Sequence, residues 1–313
     1  MLNKRFLSIA QLDAGVPVEY LVVAGGAGAR IGGGGAGGLL TNFGGTAESL
    51  NITDTYTINV GAGGAGAYSY IGGGNTSGGL SKIASGATDI TPAAVGGGLG
   101  GQNFSNPLPS VGGSGGGAGS HPGQGFTSGA AGTLNQGNAG GGAPPRTSAA
   151  GGLYPGGGGG GAGSAGANGY NTGTGGGGNG GAGISSTIIG GSALFYAGGG
   201  GGGLHGDASG RVTAQGGSGV GGNAANQPSS AGGAAGQNGT TRTGSGGGGG
   251  ASFQDISGFS GGAGGSGIVI LRYPAGNAVA LGTATASSLN TSVTGDSNFK
   301  YTKITGSGTI TFT

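Results

Sequence analysis

Glycine stands at every third position from Gly157 to Gly181, at 157, 160, 163, 166, 169, 175, 178 and 181, with Thr172 the one break in phase. A period of three belongs to neither the α-helix nor the strand. It is the period of the left-handed extended helix, which has three residues per turn and rises about 3.1 Å per residue. One face of such a helix then carries no side chains. The period recurs at Gly258, Gly261, Gly264 and Gly267, at Gly32, Gly35 and Gly38, and at Gly233, Gly236 and Gly239. Collagen needs an unbroken Gly-X-Y register with proline above roughly 15–20%, whereas this chain has 10 prolines in 313 residues and slips phase repeatedly. The polyglycine form remains. Glycine keeps its N–H, so bare-faced chains can approach closely and hydrogen-bond sideways. Fully extended, the 157–181 run would span about 75 Å at that rise, so a bend near residues 170–172 is expected.

Glycine accounts for 96 residues, and Leu, Ile, Val and Phe together for only 53. That is about 17% of the chain, under the level of roughly 20% below which an ordinary hydrophobic core is doubtful. Disorder would also call for high net charge, and the formal charge is +2. Between Ile90 and Gly206 the one charged side chain is Arg146, so the sequence has no phosphate-neutralising stripe, and nucleic acid is excluded as a partner. Zero cysteines exclude disulfides and thiolate metal sites. No apolar run reaches membrane-spanning length, and residues 6–9 are too short for a signal-peptide core.

The apolar residues concentrate in short blocks that run straight into glycine: VEYLVVAGG (18–26), YTINVGAGG (56–64), SALFYAGGG (192–200) and SGIVILRYP (266–274). Their length and their β-branched and aromatic content predict strands. Weaker strands are expected at 67–71, 80–84 and 184–189, and a final β segment at 277–313, where KYTKIT-GSG-TITFT reads as a hairpin turning at 306–308. Fixing a residue's backbone costs about 1–2 kcal/mol, while a net hydrogen bond returns about 0.5–1.5. A glycine bundle alone therefore roughly breaks even and needs strands to pin its ends. The expected fold is mainly β: a β-sandwich-type scaffold linked by polyglycine II helices, with little or no α-helix. Three regions follow. Residues 1–17 form an N-terminal docking segment, with Leu2, Phe6 and Ile9 at roughly helical spacing; 18–276 form the glycine-rich domain; 277–313 form the C-terminal β segment.

The stretches VEYLVVAGGAG, YTINVGAGGAG, ISSTIIGGSALFYAGGGGGG, GGAGGSGIVILRYPAG and YTKITGSGTITF, in that order along the chain, resemble the glycine-rich domain of bacteriophage structural and tail-fibre proteins. The resemblance implies a virion protein of a tail or fibre, whose partners are other virion proteins and a bacterial surface glycan or outer-membrane protein. A fibre admits a homotrimer, although nothing in the sequence counts chains. No receptor-binding motif of the family is matched.

Enzymatic readings fail on their motifs. After Gly26-Ala27-Gly28 the third following residue is Ile31, and IGGGGAGG cannot sustain the helix that a dinucleotide fingerprint opens. No Walker lysine follows a glycine, and the eight acidic residues are too scattered for a calcium β-roll. In LHGDASGR, His205 lies near Asp207 and Ser209, but a polar loop tip accounts for the stretch better than a triad or a metal site. No enzyme, cofactor or metal is expected. Binding is expected where larger side chains interrupt glycine: 103–109, 121–126, 143–155, 204–212 and 226–230. Within these, Phe104 and Tyr154 are suited to stacking on a sugar ring, and Arg146 and Arg211 to pairing with a carboxylate or phosphate. His205 joins them as a candidate. Two further readings are a purely structural virion fibre or decoration protein without a receptor and, more remotely, an ice-binding protein. The latter would need small residues in regular array on one face, and here they are irregular.

Overall fold

A computed structural model describes residues 15–67, 74–102, 108–120, 127–145, 154–171, 175–206, 213–225, 233–252 and 260–313, with the backbone alone at His205 and Ser252. The strands are β1 (Val16–Val23), β2 (Leu39–Thr41), β3 (Glu48–Leu50), β4 (Thr55–Asn59), β5 (Lys82–Ser85), β6 (Thr88–Asp89), β7 (Tyr154–Pro155), β8 (Ile184–Ser186), β9 (Leu194–Tyr196), β10 (Leu204–His205), β11 (Gly233–Ala234), β12 (Ala251–Ser252), β13 (Ile268–Pro274), β14 (Val279–Leu281), β15 (Thr285–Val293), β16 (Asp296–Gly306) and β17 (Gly308–Phe312). The fold is mainly β. One sheet runs β15-β16-β13-β1-β2, with β3 also on β1; a second runs β14-β17-β4-β5-β6; every pairing in both is antiparallel.

The two sheets close on one core. Period-two alternation turns Val16, Val18 and Val22 of β1 and Val269, Leu271 and Tyr273 of β13 inward, against Tyr56, Ile58, Ile83, Ile310 and Phe312 of the second sheet. Phe312 meets Tyr56 and Tyr273 edge-on, at ring-centroid distances of 6.1 and 5.6 Å. On the other face of the first sheet, Leu21, Val23, Ile268 and Ile270 are covered by Ile188 and by Tyr196 of the β8–β9 hairpin. Burial on both faces is why VEYLVV and IVILRY read as nearly continuous apolar runs. On the first sheet's β1–β13 pair, Arg272 is held by ion pairs to Glu19 and Asp296, with its guanidinium 3.8 Å from the Phe299 ring centroid and 5.4 Å from that of Phe43.

The expected hairpin at 306–308 is instead a corner. β16 stays in the first sheet between β13 and β15, whereas β17 crosses to the second, between β14 and β4. The Ser307 hydroxyl accepts the Val60 N–H at 2.9 Å and so ties the crossing to the end of β4. A Cβ on Gly308 would overlap the backbone of Thr283 and Ala284. The hairpin that does form joins β15 to β16 through Gly295, at φ 83°. Of the strand expected at 67–71, residues 68–71 lie outside the described residues; Ala67 donates to the Ala29 carbonyl within the glycine region.

Beyond the strands, the glycine segments lie side by side with hydrogen bonds that repeat every three residues. Ala24 and Ala27 donate to Gly38 and Gly35, Gly25 and Gly28 to Gly79 and Thr76, and Gly26 and Ala29 to Gly265 and Gly262, all at 2.9–3.1 Å. Each successive N–H thus addresses a different neighbour. Segment 31–38 is the clearest case. It donates to 95–101 from Gly32, Gly35 and Gly38, to 157–160 from Gly33 and Ala36, and to 244–247 from Gly34 and Gly37; it accepts from 24–27, 114–117 and 200–203. Six neighbouring segments surround it, where a strand in a sheet has two. Some neighbours run parallel and others antiparallel, since a three-fold arrangement of N–H and C=O groups serves either direction. This is the lateral bonding expected of chains with three residues per turn.

The 157–181 run is folded rather than extended. Gly158 donates to Ala167 and Gly161 to Ser164, so the chain first reverses at 161–164; it reverses again between Tyr170 and Gly176, which form an antiparallel bridge. The second reversal is the expected bend. The first went unforeseen because glycine phase continues through it.

Candidate functional site

Reversals divide the bundle into two ends. At the sheet end, strands feed into glycine at Ala24, Val60 and Gly267, and the inner passes turn tightly at 133–137, 161–164, 217–220 and 240–244. Lateral bonds join these positions into one layer, for example Gly37 to Gly244 and Gly244 to Ser266. At the distal end another layer links Arg30, Ala67, Gly101, Ala118, Gly141, Gly156, Gly203 and Gly250 or their immediate neighbours. There β7, β10, β12 and β11 form a small sheet in the order β11-β12-β10-β7. Side chains lock the same layer: Asn75, 6% exposed, donates to the Gly100 carbonyl at 2.7 Å, and the Ser120 hydroxyl donates to Pro155 at 2.7 Å.

All five stretches expected to bind have their described flanks in this distal layer. Of the candidates, Phe104, Arg146 and Arg211 lie outside the described residues, as do the docking residues Leu2, Phe6 and Ile9. Tyr154 and His205 are brought together as register partners in the β7–β10 pair. Tyr154 is 5% exposed, so its ring offers a ligand no open stacking face. Its burial follows from its place in a strand of the distal sheet, which the loop-like composition around it concealed.

Sequence reasoning missed a second place, at the sheet end. Leu194, Phe195, Val220 and Ile268 line a cavity of about 290 Å³ with Arg242 and Lys303. The available signal was weak: two cations in a chain with only ten Lys and Arg, far apart in sequence. Beside it Tyr196 is 3% exposed, and burial, with a smaller contribution from Tyr301, pushes its phenol up to about 12. Among the described residues, no three His, Cys, Asp or Glu side chains gather as a metal site would require, and no helix is long and apolar enough to cross a membrane.

No curated protein and no solved structure matches the chain. Residues 8–274 match the family model described as a glycine-rich domain. With the glycine bundle and the paired strands β1 and β13 inside that match, the chain belongs to the glycine-rich domain family.

Proposed function

We propose that this chain is a bacteriophage virion protein, a tail-fibre or tail-tip component whose glycine segments are polyglycine II helices and whose distal loops attach to the host surface. The observation that carries this reading is the polarity of the bundle. The five candidate stretches, 103–109, 121–126, 143–155, 204–212 and 226–230, are all flanked by described residues of the end opposite the two scaffold sheets. A rigid platform with its larger side chains grouped in segments on one end fits recognition by presentation rather than by chemistry. In this reading the sheets and residues 1–17 face the rest of the virion, and the partner is a bacterial glycan or outer-membrane protein.

The test is adsorption. Purified protein, labelled away from the distal end, should bind host cells saturably and compete with intact phage for adsorption; no saturable binding would remove the adhesin role. The burial of Tyr154 favours a second reading, a purely structural fibre or decoration protein. That reading expects antibodies to label virions while host cells remain unlabelled by the protein.

A further inference from the structure

We propose that the sheet end carries a binding site for a small anionic amphiphile, a carboxylate borne on a short alkyl or aryl body. The site is the cavity of about 290 Å³ between the β8–β9 hairpin, the 240–244 turn and β16, at the small end of the range for ligand pockets. It lies opposite the distal loops and stands or falls separately from the attachment role.

The apolar half of the site comes from the end of the β8–β9 hairpin. In β9, Tyr196 turns into the second core at 3% exposure, and its neighbours Leu194 and Phe195 remain 42% and 43% exposed. Ile268 and Val220 complete the apolar lining. Because Ile268 and Tyr196 both belong to the core beneath, that wall is rigid and preformed.

The choice of an anion follows from charge. Arg242 and Lys303 line the cavity and no acidic residue does. Among the described residues neither cation has a carboxylate partner: Glu19 and Asp296 are taken by Arg272, and Asp89 by Lys82. Lys303 stands opposite Ile270 in the β13–β16 register, and its ammonium lies 5.5 Å from the Tyr301 ring centroid, so the stem covers apolar surface while the charge reaches the rim. Arg242 has φ 63°, a conformation that favours glycine, and its backbone is held by its N–H donating to the Ser266 hydroxyl at 3.0 Å. Two cations beside an apolar wall match an anionic head with an apolar body. A neutral apolar ligand would leave both charges unused, and a hydrophilic acid would leave Leu194 and Phe195 uncovered.

The experiment titrates the full chain with 1-anilinonaphthalene-8-sulfonate, an aryl anion, followed by fluorescence, and then displaces the probe with octanoate. Octanol, octylammonium and glucuronate serve as neutral, cationic and hydrophilic counterparts. Saturation at one site is expected, with octanoate displacing the probe at least about tenfold better than any of the three. Arg242→Asn, which tolerates the positive φ, and Lys303→Gln should each weaken octanoate about tenfold, and Lys303→Arg should retain binding. Equal displacement by octanol or glucuronate would overturn the proposal, as would unchanged octanoate affinity in the folded double variant. If a variant fails to fold, salt on the native chain decides: octanoate affinity should fall with added NaCl, and a salt-independent affinity would also overturn the site.

Discussion

At Gly34 one methyl group decides whether two chains can touch. A Cβ there would fall on the Ala27 carbonyl oxygen, whereas at Gly276 it would meet nothing within 4 Å. The segments of Gly34 and of Ala27 are each held by their own lateral bonds, so neither can retreat cheaply. Gly34→Ala should therefore cost about 2–3 kcal/mol or more, as overpacking of a close-packed interior does. Gly276→Ala should shift stability by no more than about 1 kcal/mol, in the stabilising direction. Urea unfolding of the two variants measures the contrast. Tyr196 supplies a pH dependence. Its phenol ionises near 12 in the fold against an ordinary 10.0, so above pH 10 the unfolded chain loses the proton before the folded one does. Its contribution is complete below pH 10 and falls, by on the order of 2–3 kcal/mol, as pH rises toward 12. Alkaline unfolding should be shallower in Tyr196→Phe, and the 295 nm phenolate signal of native protein should show a late-titrating component that this variant lacks.

Elements are held to one another by a few polar side chains where the strands are short. Asn290, at φ 49° in β15, accepts from the Val279 N–H and the Tyr273 hydroxyl, each at 2.7 Å, and donates to the Val279 carbonyl at 3.0 Å. It thereby joins the edge strand β14 of one sheet to β13 and β15 of the other. Asn290→Gly keeps the backbone conformation and loses the bonds, and should cost about 1–3 kcal/mol because the Val279 N–H and carbonyl lose this partner and the buried Tyr273 hydroxyl keeps only Thr302. Unfolding midpoints measure the loss, and amide exchange at 279–281 should accelerate first. Ser81, fully buried, has the same role where β1 passes into glycine: its hydroxyl donates to Val23 and accepts from Gly61, both at 2.9 Å. Strand existence at this scale was legible, because β-branched runs such as IVIL declare themselves locally. The corner at Ser307 was not, since GSG between two strands has the composition of a hairpin and only the partners of β16 and β17 distinguish the two.

For the whole molecule, the consequence is mutual dependence of sheets and bundle. Strands β14 to β17 belong to both sheets and bring Ile304, Ile310 and Phe312 to their shared core. A chain ended after Gly276 should therefore lose cooperative unfolding, and its amides at 31–38, held by six neighbours in the native fold, should exchange freely in hydrogen–deuterium measurements; persistent protection there would show that the bundle stands without its scaffold. The sequence by itself determined the main apolar strands, the scarcity of charge and a glycine period of three, because each is a local property of residue type and spacing. It also marked out the candidate stretches, which break the glycine pattern. Only the tertiary structure decided which segments are neighbours, where the 157–181 run reverses, that those stretches share one end, that Tyr154 is buried, and that Arg242 and Lys303 line one cavity with Phe195. The physical reason is that bare glycine faces are interchangeable. Nothing in a run of glycines labels its partner, so long-range placement comes from the strands and turns that fix the ends of each pass.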